Sequence, residues 1–241
     1  MKRYILITLI ILLFCGLTAK DINYSFNYLI ISADKVKKYD YDFSGKDLNN
    51  FSQKLQNSFK VKPTNSLIIS QFSGEDIENT NARINRFYQG IDKESYTLFL
   101  LMGPWQISGE DCNFVCSSPD KISYEYLMNL YEFMPSRNAL MLVFYPKKNK
   151  PDFSEYNQNT QVNQSGKHII FVEADDDDLQ DVIQSCQKIF DKIAKTGKNN
   201  SANEISQYFL SYAVNEKLNL KSYQLTKEND YILINSGENN E

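Results

Sequence analysis

The chain has 241 residues, 42% of them hydrophobic and 23% charged, with a net charge of −4 and an isoelectric point near 5.2. That length and balance are those of a globular chain with one substantial core. No basic patch dominates, which argues against a nucleic-acid binder. The 13% of aromatic residues fall mainly in apolar runs and so belong to the core.

The first segment reads as a targeting signal. Lys2 and Arg3 precede an apolar run from Tyr4 to Phe14, followed by small residues at Gly16-Leu17-Thr18-Ala19. The run is shorter than the roughly 20 residues of a bilayer crossing, so residues 1–19 are expected to be a cleaved signal peptide. Cys15 raises a bacterial lipoprotein signal as an alternative, from which bulky Phe14 departs. The expected location is outside the cell or in a secretory lumen, or the periplasm of a bacterium. No second apolar segment of spanning length follows, so the mature chain is expected to lack an integral membrane segment. A single domain is expected over residues 20–235, with a polar tail at 236–241.

Strands and helices then alternate. Tyr28–Ser32 is a short apolar run of the kind buried in a sheet. Gly45–Phe59 follows as an amphipathic helix with Leu48, Phe51, Leu55 and Phe59 on one face, and Ser44 with Asp47 resembles a capping box. Leu67–Ser70 is the second strand. A helix bearing Ile77, Ile84, Phe87 and Tyr88 ends near Gly90. Tyr96–Met102 is the third strand, and a loop over 103–118 leads to a helix with Ile122, Leu127, Leu130 and Phe133 that stops at Pro135. Ala139–Tyr145 is the fourth strand. Residues 146–166 are polar and read as a long exposed loop. His168–Val172 is the fifth strand, the helix after Asp178 carries Leu179, Val182, Ile183, Cys186, Ile189, Phe190 and Ile193, and a further helix carries Ile205, Phe209, Leu210 and Ala213. Tyr231–Ile234 is read as the last strand. This alternation predicts a mostly parallel sheet covered on both faces.

Few groups carry chemistry. Cys112 and Cys116 share one loop and are candidates for a small disulfide ring in an oxidising compartment. Their spacing is no zinc signature, since no second pair or nearby histidine completes it. Cys186 sits on an apolar helix face as a small core residue. Asn23, Asn50, Asn163 and Asn199 begin N-x-S sequons, a pattern that an Asn-rich chain produces by chance. Asp175, Asp176, Asp177 and Asp178 lie just beyond the fifth strand, where open α/β sheets bind ligands. Their charge suits the N-terminus of the next helix, and four carboxylates also leave room for a weak cation site or a binding surface. Lys147-Lys148-Asn149-Lys150 is a short solvated cluster. With nine glycines and no phosphate loop a dinucleotide site is not expected, and no G-x-S-x-G elbow is present. No cofactor or bound metal is expected.

Across roughly Asn27 to Asn235 the order and spacing of these elements resembles the caspase–metacaspase–legumain group of cysteine peptidases. Asp47-Leu48-Asn49-Asn50-Phe51 resembles the group's early helix, Tyr96–Gly103 the strand that leads into its histidine motif, Ala139–Tyr145 the strand that leads into its cysteine motif, and Ile169–Ala174 the strand after it. The polar 146–166 segment lies where caspases carry a loop that is cut on activation. The resemblance implies a three-layer caspase-like α/β fold with a mostly parallel six-stranded sheet and helices on both faces. At the catalytic positions it fails. Gly103 matches the first glycine of the histidine motif, but Pro104 holds the histidine position and Trp105 the next glycine, and Pro146 stands near the cysteine position. Proline offers neither base nor nucleophile. The only histidine is His168, at the start of the fifth strand.

The reading is therefore a secreted, proteolytically inactive caspase-like domain acting by binding a protein partner. Loop 103–118, loop 146–166 and the acidic 174–178 segment are expected to converge at the carboxyl end of the sheet. Trp105 is the candidate contact residue there, or else the filler of the vacated cleft. Two alternatives stand beside it. One is an active cysteine endopeptidase with a displaced dyad of Cys112 or Cys116 and His168. The other is a flavodoxin-like small-ligand binder, which a strand order unlike that of caspases would favour.

Overall fold

A computed structural model describes residues 25–33, 35–36, 41–42, 45–70, 77–108, 111–115, 121–145, 166–174, 178–196 and 202–225. In chain order they form β1 (Phe26–Ser32), the short pair β2 (Lys35–Val36) and β3 (Tyr41–Asp42), α1 (Gly45–Phe59), β4 (Ser66–Ile69), α2 (Ile77–Gln89) and β5 (Tyr96–Met102). Then come β6 (Trp105–Ser108), β7 (Asp111–Val115), β8 (Lys121–Ser123), α3 (Tyr124–Phe133), β9 (Asn138–Tyr145), β10 (Lys167–Glu173), α4 (Leu179–Lys195), α5 (Ala202–Asn215) and β11 (Leu220–Leu225). The signal segment, Cys116, Asn23, Asn163, Asn199, residues 146–165, Asp175–Asp177 and the tail lie outside the described residues.

The main sheet has the order β11-β10-β9-β5-β1-β4, parallel from β4 to β10, with β11 antiparallel to β10. It is a mostly parallel six-stranded α/β sheet with helices on both faces. All seven residues of β1 and of β5 are buried. Coverage of both faces is why their centres, Tyr28–Ile31 and Leu98–Met102, are apolar on both sides without polar alternation.

Register separates the two faces. Asn27, Thr97, Ala139 and Lys167 stand in one row across four strands. Lys167 reaches α3, so this row looks toward the α2–α3 layer. The neighbouring positions look toward α1, α4 and α5. There Phe26 stacks on Phe59 at 4.0 Å, Phe59 meets the edge of Phe190 at 6.0 Å, and Phe190 lies 5.2 Å from Phe209.

Helices α1 and α4 run parallel because each follows a parallel strand on the same side. Three polar rungs join them at one sequence offset of 133: Asp47 with Gln180, Lys54 with Gln187, and Ser58 with Asp191. In the opposite layer the Tyr88 hydroxyl donates to Leu130 O at 2.6 Å, and Tyr126 to Asn81. Helix α3 begins with Ser123 accepting from Tyr126 N and ends before Pro135, since the residue preceding a proline disfavours helical geometry.

One strand is added and one loop changes. Leu220–Leu225 is a strand of the main sheet that the sequence reading did not include, and the Tyr231–Ile234 run lies outside the described residues. The loop expected over 103–118 contains strands β6 and β7, which with β8 form a three-stranded antiparallel meander. Among the described residues no helix is long and apolar enough to cross a membrane.

Candidate functional site

Strand order reverses between β1 and β5, whose connections leave toward opposite edges of the sheet. In open α/β sheets the crevice outside the carboxyl ends of such strands takes ligands. Here the crevice is filled from within. Ala33 follows β1 and its N–H donates to Met102 O at 2.8 Å, drawing the two strand ends together. A Cβ on Gly103 would stand 2.6 Å from Ala33 Cβ and 2.8 Å from Phe114 Cζ, so only glycine admits the Phe114 ring. Val115 N–H donates to Pro104 O at 2.9 Å and fixes the meander over the strand end.

Trp105 is 1% exposed. Its ring meets Phe114 edge-on at 5.1 Å and Tyr124 at 6.0 Å, both T-shaped as aromatic quadrupoles prefer. The indole therefore lies in the core beneath the meander. Sequence reasoning did not find Phe114 or Tyr124 as its partners. The only local signal is that Phe114 is the lone aromatic between two cysteines in an otherwise polar stretch.

The ends of β5 and β9 lie side by side, with Met102 opposite Phe144. Gly103-Pro104 and Tyr145 thus leave adjacent strands at the same level, and Pro146 lies outside the described residues. Tyr145 is buried, its ring is 6.4 Å from that of Phe171, and its carbonyl accepts from Ala174 N–H at 2.9 Å.

His168 lies at the other end of the sheet. It is the second residue of β10, pairs with Leu140, and its carbonyl accepts the Tyr131 hydroxyl at 2.8 Å. The length of β10, about 20 Å at 3.3 Å per residue, separates that end from the carboxyl-end crevice. Cys112 is a free, buried thiol on β7, and burial pushes its pKa up to about 12. Cys186 is free and buried on α4, its thiol likewise raised by burial. A thiolate is the nucleophilic form, and burial works against it at both positions.

Asp178 precedes α4. Its carbonyl accepts from Val182 N–H at 2.9 Å, and its side chain makes no capping hydrogen bond. The three carboxylates before it lie outside the described residues. Among the described residues no three His, Cys, Asp or Glu side chains gather to hold a metal.

A buried cation escaped the sequence reading. Lys167, fully buried, donates to the carbonyls of Tyr131 and Glu132 at 2.9 Å and of Met134 at 3.2 Å, and stands 5.5 Å from the centre of the Tyr131 ring. With the Tyr88 bond to Leu130, side chains from two other elements satisfy carbonyls that the end of α3 leaves open. Burial pulls the Lys167 ammonium down to about 8, with Glu132 opposing. The Glu132 carboxyl is raised by burial, with Lys167 opposing.

No protein-family model and no curated protein matches the chain. Among solved structures it is similar to caspase-1 from Spodoptera frugiperda, at 9% identity over 80% of this chain and 77% of that one, with a TM-score of 0.47. It is also similar to the Drosophila initiator caspase Dronc, at 8% identity over 71% of this chain and 66% of that one, with a TM-score of 0.43.

Proposed function

We propose that the chain is an exported, proteolytically inactive caspase-like domain that works by binding a protein. The observation that carries this reading is the end of β5. Where the resemblance calls for a glycine-flanked histidine, the chain has Gly103-Pro104-Trp105, with Trp105 buried against Phe114 and Tyr124. A general base has no side chain to reside on there. The partner would meet the carboxyl end of the sheet, where the outer surface of the meander and the segments after β9 and β10 emerge. The test is a panel of fluorogenic peptides with Asp, Asn, Arg or Lys before the scissile bond, run with a thiol-directed alkylator. No turnover is expected, and the buried thiols of Cys112 and Cys186 should resist alkylation in the native protein. Turnover lost on Cys112→Ser or Cys116→Ser would restore the displaced dyad with His168.

A second reading has one observation in its favour. The order of the first five sheet strands is also that of flavodoxin-like folds. A small ligand would have to displace Phe114 from the β1–β5 crevice. Saturable change in Trp105 fluorescence on adding a flavin or nucleotide would support this reading.

A further inference from the structure

Among the described residues the sheet has two margins, and β4 is the outermost of its parallel strands. A margin strand presents main-chain N–H and C=O groups that can pair with another chain. On β4 the chain's own groups occupy this margin. The Arg83 guanidinium on α2 donates to the Ile68 carbonyl at 2.9 Å in an exposed hydrogen bond. At the strand's start Ser66 turns its N–H and its hydroxyl to Pro63 O, the latter at 2.9 Å, closing a single 3-10 turn over Pro63–Asn65. Leu67 and Ile68 are only half-buried, so the strand keeps the apolar side chains that an added strand would cover.

We propose that Arg83 guards the β4 margin against strand addition by a second copy of this chain, and that the Ser66–Ile69 strand pairs between copies when the guard is removed. An exposed guanidinium reaches a sheet carbonyl only from the open side of the last strand. It takes the acceptor that an incoming N–H needs, and its charge repels an identical margin. The apolar Leu-Ile-Ile core of the strand is short and two of its three residues are β-branched, a composition that pairs readily once uncovered.

The test compares wild type, Arg83→Ala, Arg83→Lys and the double variant Arg83→Ala/Ser66→Lys by light scattering across a dilution series. Arg83 is exposed, so circular dichroism of the variants should overlay that of the wild type. Losing one hydrogen bond at the margin is expected to strengthen self-association about fivefold in Arg83→Ala. Arg83→Lys keeps a donor and a charge and should behave as wild type. The added margin lysine should return the double variant to the wild-type level. Arg83→Ala indistinguishable from wild type overturns the proposal. So does association that Ser66→Lys leaves unchanged, because the contact then lies elsewhere, or a wild-type dimer already paired through β4. None of these outcomes bears on peptidase activity.

Discussion

A single glycine sets the shape of the crevice. Gly103 lies where β5 ends, with Ala33 and Phe114 both inside the space of a side chain. Backbone and ring must move apart to admit even a methyl group, and overpacking of this kind costs about 2 kcal/mol. Gly103→Ala is therefore expected to lower unfolding stability by about that amount in urea titrations, with Phe114→Leu in the same chain recovering part of it. Recovery is the informative arm, since it tests contact between the two residues rather than glycine's backbone freedom. The sequence exposed half of this arrangement. Gly103, Pro104 and Trp105 were legible as a strand ending without catalytic groups. Phe114 was not, because a lone aromatic in a polar stretch has no periodicity to announce which way it points. Lys167 was hidden for a related reason: a lysine at a strand start reads as solvent-facing, and only the tertiary position of α3 turns it inward.

At the scale of elements, strands covered on both faces were the easiest to read. β1, β5, β9 and β10 each contain an unbroken apolar run: Tyr28–Ile31, Leu98–Met102, Ala139–Tyr145 and Ile169–Val172. β11 was missed because Leu-Lys-Ser-Tyr-Gln-Leu is a mixed sequence at the sheet's antiparallel edge, with no apolar run to announce it. The meander was missed because its strands are short and polar on one side. The helix ends hold a less visible feature. After α1 and after α5 the chain turns through a lysine with positive φ, 53° at Lys60 and 58° at Lys217. In both turns the next residue donates back five positions, Val61 N–H to Gln56 O and Leu218 N–H to Ala213 O, and buries its side chain. This is the Schellman arrangement, which favours glycine at the left-handed position. Relief of the Cβ strain exceeds the added entropy of an unfolded glycine. Lys60→Gly and Lys217→Gly should each stabilise the protein by about 0.5 kcal/mol in thermal or urea unfolding, additively because the sites share no partner.

The whole molecule should respond to alkali in a defined way. Cys112 and Cys186 hold their protons in the folded state beyond the usual thiol range. Tyr88, Tyr96 and Tyr131 are raised by burial above the usual phenol range. In the unfolded chain all five ionise at ordinary values, so above pH 9 the folded state binds more protons and stability falls as pH rises. Lys167 works in the opposite sense. It is pulled down to about 8 when folded, so from pH 8 to its unfolded value of 10.5 it adds stability as pH rises. The two thiols outnumber it from pH 9, and the tyrosines join from pH 10. Stability should peak near pH 9, decline by about 1.4 kcal/mol per pH unit to pH 10, and fall more steeply beyond. Urea midpoints taken in half-unit steps would check the peak. Lys167→Met should abolish the rise between pH 8 and 9 and steepen the fall between pH 9 and 10 to about 2.7 kcal/mol per pH unit, because the two thiols then act unopposed.

The rungs between α1 and α4 also set a clock. Every one of them joins residues 133 positions apart. On a ribosome adding about 5–20 residues per second, the polar side of α1 waits roughly 7–27 s for its partner helix to be made. β1 waits too, since both of its neighbours in the sheet follow it in sequence. Among the described residues the first helix to be synthesised thus gains its neighbouring helix late, and the three polar rungs close only after β1, β4, β5 and β9 have all been made.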